Sequence, residues 1–167
     1  MWFRILAISC ATILSFGCNR ISHDKAGLEP PDIEVDIPGV KENRSLRQIE
    51  MSIGGEEVTL EVVVDREERR QGLMYRDSLA PNAGMLFIFP SNLYGPFWMK
   101  NTYIPLSIAF ISSDSVIVGI IDRMEPLDTV TKYMPDAPYR YAVEMNAGWF
   151  KNHGVEVGDT LEIPSVP

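Results

Sequence analysis

The chain has 167 residues, is 46% hydrophobic, and carries a formal net charge of −8 at pH 7. That length holds one domain with a real core rather than two. The acidity argues against a nucleic-acid binder, which needs a basic footprint, and against electrostatic attachment to anionic lipid headgroups.

The first elements read as a targeting segment. Arg4 is a minimal positive region, and Ile5 to Phe16 is apolar or small without charge. Such a run suits a secretory signal and is too short to span a bilayer. Gly17-Cys18 closes it, a small residue before a cysteine, as in bacterial lipoprotein signals. Residues 1–17 are therefore expected to be a signal peptide. Cys18 would be the lipidated first residue of the mature protein, anchoring it in the periplasm or at the cell surface. Ser15 and Phe16 depart from the usual lipoprotein pattern, so ordinary cleavage near Gly17 is the alternative. Cys10 and Cys18 are the cysteines of the sequence, so the mature domain is expected to have no thiol nucleophile, redox pair or zinc-thiolate site. Residues 18–47 contain Pro30-Pro31, Pro38-Gly39 and scattered acids without sustained periodicity, and read as a flexible tether.

Residues 48–167 read as a single β-rich domain. Ile49, Met51 and Ile53 alternate with polar residues, Gly54-Gly55 follows, and Val58, Leu60, Val62 and Val64 resume the alternation, which predicts a hairpin with a glycine turn. Asp65 with Glu68 forms a capping-box pattern for a short helix that Gly72 stops. Met85 to Phe89 predicts a buried strand and Phe97 to Lys100 another short one. Ser107 to Ile111 and Val116 to Ile121 flank a polar turn and predict a second hairpin, apolar enough to be central. An irregular stretch is expected from Asp122 to Pro138, then a strand over Tyr139 to Met145 and a helical turn from Trp149. Many short strands with turn signals predict a mainly β fold, a compact β-sandwich or open barrel with one or two short helices.

The chemistry is sparse. Gly-x-Ser-x-Gly and phosphate-binding glycine loops are absent. His153 is the histidine of the domain, and beside Gly154 it reads as a cap for helix carbonyls. Asp122, Glu125 and Asp128 do not fit a calcium loop, so no metal or cofactor is expected. The best constellation is polar groups set in apolar sequence: Arg76, Trp98, Lys100, Asn101, Glu144 and Asn146. Cations, amides, a carboxyl group and an aromatic wall suit a small anionic or sugar-like ligand. The structural alternative is a buried ion pair of Lys100 or Arg76 with Glu144, and turn chemistry for the asparagines.

Arg69-x-x-Gly72-Leu73-Met74-x-Arg76, Gly84-Met85-Leu86-Phe87, Phe97-Trp98-Met99-Lys100-Asn101-Thr102, Ile104-Pro105-Leu106, Glu144-x-Asn146-Ala147-Gly148, Gly154 and Gly158-Asp159 follow one another in order. Together they resemble the bacterial and archaeal family called domain of unknown function 192. The resemblance implies a compact, mainly β protein, often exported or membrane-anchored, and implies no reaction. Ser107 stands where many members carry Asp, so an acid there is not required.

The expectation is a membrane-tethered envelope domain that binds a small anionic or carbohydrate ligand, or an envelope partner, without catalysis. One alternative is a hydrolase or lyase acting on envelope carbohydrate, with Glu144 or Asp122 as acid/base. Another is a structural accessory that presents Trp98, Tyr103 and Trp149 as an interface.

Overall fold

The computed structural model describes residues 46–164. Cys18, the signal segment and most of the tether lie outside the described residues. The elements are β1 (Gln48–Ile53), β2 (Glu56–Val63), α1 (Arg66–Gln71), β3 (Ala83–Leu93), β4 (Leu106–Ile111), β5 (Ile117–Met124), β6 (Tyr139–Asn146) and α2 (Trp149–Asn152). The fold is mainly β, with two short helices on one open six-stranded sheet of order β1-β2-β3-β6-β4-β5 that does not close into a barrel.

Local chemistry sets most of these boundaries. Ile53 pairs with Glu56, and the two turn glycines between them hold φ of +60° and +83°, the doubly positive geometry of a tight hairpin. In α1 the Asp65 side chain caps the first turn, and the Glu68 carboxylate accepts the N–H groups of Val64 and Asp65 at 3.3 Å each. Gly72, at φ +50°, closes the helix by donating its N–H to the Glu68 carbonyl at 2.8 Å. No residue of α1 is buried.

β2 and β3 run parallel, joined by a crossover through α1, and every other ladder is antiparallel. Alternation along the strands splits the apolar residues into two cores. One core draws on all six strands, including Leu60, Leu86, Ala109 and Val143, and is covered by Trp149 and Phe150 of α2 and by Val155 and Leu161. The other holds Met85, Phe87, Ile108, Phe110, Tyr139 and Ala142, roofed by Leu73, Met99, Ile104 and Tyr133 from loops. His153 sits at the end of α2, where its Nδ1 donates to the Trp149 carbonyl at 2.7 Å.

Three expectations change. Phe97 to Lys100 is not a strand: Phe97 makes one bridge to Tyr133, and the chain then reverses at Asn101, which holds φ of +57°. The in-out alternation survives that reversal, with Met99 at 0% exposure and Trp98 at 51%. The second hairpin is only half central, because β4 is interior while β5 is an edge strand. The irregular stretch begins later than Asp122, since Met124 still pairs with Leu106.

Candidate functional site

Glu144 lies in the middle of β6, opposite Met85 on β3 and Ile108 on β4. Both neighbours are fully buried, and Glu144 itself is 5% exposed. Among the described residues no group donates a hydrogen bond to its carboxyl and no cation pairs with it. Burial alone pushes that carboxyl up to about 8, because the charged form loses its hydration and gains nothing in return.

Glu144 opens into a groove of about 610 Å³. Arg66, Arg69 and Arg70 of α1 stand on one side, Pro90 to Leu93 and Pro96 to Trp98 on the other, and Phe87, Phe89 and Tyr139 line it between them. The rings hold one another edge-on: Phe87 to Phe97 at 5.1 Å and Phe89 to Tyr139 at 5.5 Å between centroids. The Tyr139 hydroxyl donates to the Gly95 carbonyl at 2.8 Å, which ties the far wall to the sheet. Arg69 donates to the Ile88 carbonyl at 3.0 Å and lies 5.1 Å over the Phe89 ring, so α1 is clamped along β3 at the rim.

The loops over this face are tightly determined. Tyr75, Asn101 and Leu127 all hold positive φ, a conformation that side-chain-bearing residues rarely adopt. They are joined: Tyr75 N–H donates to the Asn101 carbonyl at 2.8 Å, Asn101 Nδ2 to the Tyr75 hydroxyl at 2.7 Å, and Leu127 N–H to the Thr102 carbonyl at 2.9 Å. Thr102, inside this knot, also lines the groove. Asp128 organises the adjoining loop. Hydrogen bonds from the Thr131 side chain and backbone, the Val130 N–H and the Tyr133 hydroxyl hold its carboxyl well below the usual range.

A model of the DUF192 family, described as Uncharacterized ACR, matches residues 49–163. The chain belongs to the DUF192 family. A crystal structure from Sinorhizobium meliloti 1021, named as a candidate transcription regulator, is 39% identical with a TM-score of 0.64, over 71% of this chain and 95% of that one. Another, of a protein of unknown function from Novosphingobium aromaticivorans DSM 12444, is 28% identical with a TM-score of 0.66, over 74% and 91%. A search among curated proteins gave no significant match.

The DUF192 domain gathers only part of the expected constellation at the groove. Trp98 and Glu144 line it. Lys100 is exposed, with its Nζ 5.8 Å from the Trp98 ring centre. Arg76 pairs with Glu61, not Glu144, with each terminal nitrogen 2.6 Å from a carboxylate oxygen. Asn101 serves the turn just described. Asn146 Nδ2 donates to the carbonyls of Leu79 at 3.3 Å and Ala80 at 2.9 Å, holding the loop before β3. Asp122 is exposed in a shallow depression with Lys151 and Val155, on the face of the sheet opposite Glu144. The two carboxyl groups therefore cannot flank one bond. Trp149 is 4% exposed and sealed in the first core, so it offers no interface with Trp98 and Tyr103.

Sequence reasoning missed Arg66, Arg70, Phe89 and Tyr139 as lining residues. The signal was present for one pair: Phe87 and Phe89 alternate on the same strand face and point where Glu144 points. Among the described residues no cluster of His, Cys, Asp or Glu is placed to hold a metal ion. No described helix is long and apolar enough to cross a membrane.

Proposed function

We propose that this DUF192 domain is a non-catalytic binding module of the cell envelope, anchored by lipid on Cys18, whose groove takes a small ligand with an anionic end and an apolar body. The observation that carries the reading is the unpaired Glu144 carboxyl, nine-tenths buried in a groove whose volume falls in the usual range for small-molecule sites. A fold does not retain such a group for stability. Arg66 and Arg69 supply positive charge at the rim of an otherwise acidic protein, beside Arg70, which is paired with Glu67 at 2.9 Å, and the rings supply an apolar floor. A sugar ring would find a stacking face on the half-exposed Trp98. The Sinorhizobium protein is named as a candidate transcription regulator, and direct nucleic-acid binding by this chain is disfavoured by its net charge of −8.

A second reading has one observation in its favour. A carboxyl raised to about 8 is suited to general acid catalysis near neutral pH. It would have to work without Asp122, so an elimination fits better than the two-carboxylate cleavage of a glycosidic bond.

The groove is tested with 8-anilinonaphthalene-1-sulfonate, an anion on an apolar ring system. Its fluorescence should rise on binding, and reversing the rim with Arg66→Glu and Arg70→Glu should weaken binding about tenfold, whereas Lys151→Glu on the opposite face should not. Equal weakening by both would sink the groove. The anchor is tested by the mass of the mature N-terminus, where an unmodified Cys18 would refute it; Cys18→Ser should move the protein to the soluble fraction.

A further inference from the structure

We propose that the ligand of this groove carries a primary amine at its deep end, whose ammonium pairs with the Glu144 carboxylate while its anionic end meets Arg66, Arg69 and Arg70. The inference rests on the groove being a binding site and adds the ligand's charge pattern. Two carboxyl groups on one face of the sheet are partnered differently. Glu61 on β2 stands beside Met85 on β3, which stands beside Glu144 on β6. The fold supplies Glu61 with both terminal nitrogens of Arg76. It supplies Glu144, two strands away and more deeply buried, with no cation among the described residues. The missing partner of a buried carboxylate is a positive, hydrogen-bonding group, and the open side of Glu144 is the groove.

The remaining lining suits an organic cation better than a metal ion. Phe97 and the half-exposed Trp98 present ring surface above the buried Phe87 and Tyr139, and such surface attracts a desolvated organic cation. An ammonium has three donors, and besides Glu144 the buried Thr102 side chain offers a hydroxyl oxygen in the same groove. An anionic tip would face a carboxyl group, and an apolar tip would leave it unsatisfied.

The register sets the spacing of the two ends. Arg69 reaches the Ile88 carbonyl, three residues along β3 from Met85, the neighbour of Glu144. At the usual rise of a strand this puts the rim about 10 Å from the Glu144 row. The ligand is thus an amino acid in the broad sense, with its amine and its anion separated by an apolar body about that long.

The charged and titratable side chains lining the groove with Glu144 are Arg66, Arg69 and Arg70 of α1 and Tyr139 of β6. Burial drives the Tyr139 hydroxyl up from its ordinary value. Glu144 is the member of this set that titrates near neutrality, so pairing with an amine below about pH 8 must expel its proton.

The test is calorimetric titration of the full chain with 8-aminooctanoate, 8-hydroxyoctanoate and octanoate, which share one body and one anion and differ at the tip. At about pH 8 the amine should bind about tenfold tighter than the alcohol, and its affinity should fall towards tenfold per pH unit on acidification to about pH 6. Glu144→Gln should remove the amine preference and the pH slope together. Comparing probes on the native chain needs no variant to fold. If the alcohol or octanoate binds as tightly as the amine, the amine is refuted while the groove stands. If none of them binds, both readings fall. An amine preference that survives Glu144→Gln places the amine elsewhere and overturns the pairing.

Discussion

A carboxyl group buried between Met85 and Ile108 makes the stability of the domain depend on pH in a direction opposite to that of most acids. The usual acidic group is stabilised as its anion on folding and loses that contribution as pH falls. Glu144 is held neutral, with its carboxyl at about 8 in the fold against 4.5 as the ordinary value. Below 4.5 both states are protonated and no penalty exists. Between 4.5 and 8 the unfolded chain gives up its proton and the folded one does not, so stability falls as pH rises, and above 8 the loss is complete. Measured by urea unfolding against Glu144→Gln, the native chain should lose up to about 1.4 kcal/mol per pH unit across that window, several kcal/mol in all. A difference that stays flat across the window would mean that water or a partner already solvates the carboxyl. The identity of Glu144 as an interesting residue was legible in the sequence, because it alternates with Val143 and Met145 in an apolar strand. Its isolation was not: Arg76 was an equally good partner on paper, and only the folded contact, with both terminal nitrogens of Arg76 on the Glu61 carboxylate, shows that Arg76 belongs to Glu61.

At the scale of elements, the pairing of β3 with β6 holds Glu144 in place, and Gly84 controls it. Gly84 lies opposite Met145, and a Cβ built on Gly84 would collide with the Met145 sulfur and the Glu144 carbonyl, with Leu60 Cδ2 at 2.9 Å. Two of these neighbours are core side chains and one is backbone, so the strand itself must move. Gly84→Ala should cost about 2–3 kcal/mol by overpacking, measured by chemical denaturation. It should also shift the backbone amide resonances of residues 144 and 145. A loss under about 0.5 kcal/mol would show that the sheet relaxes freely there. Elements governed by neighbours in sequence were readable: the hairpin at Gly54-Gly55, and the helix between Asp65 and Gly72. Those governed by distant neighbours were not. The edge position of β5 depends on which strand β4 pairs with on its other side, and hydrophobicity does not encode that. Phe97 to Lys100 alternates like a strand, but its backbone meets Tyr133 once before Asn101 turns it back.

Over the whole molecule, the parts that hold the fold and the parts that shape the groove are largely separate. The two cores are built from the sheet, α2 and the loops, and α1 contributes no buried residue to either. The capping box and the Gly72 closure hold the helix itself, and Arg69 ties it to β3 through the Ile88 carbonyl and the Phe89 ring. Yet α1 supplies the arginine rim of the groove. This wall was hard to foresee from sequence because the groove joins α1, β3, the segment before Met99 and β6, which lie far apart in the chain and meet only through the sheet order. A short helix held by caps can open without the sheet. Asp65→Ala combined with Glu68→Ala should therefore loosen α1 alone. Hydrogen exchange at the amides of Arg69 and Gly72, which bond to the Asp65 and Glu68 carbonyls, should accelerate about tenfold or more, as expected for a cap worth about 1–2 kcal/mol. The amides of β3 and β6 should keep their protection, and the sulfonate probe should bind more weakly. If protection falls equally across helix and sheet, α1 is part of the cooperative fold, and the groove cannot be tuned without unfolding the domain that carries it.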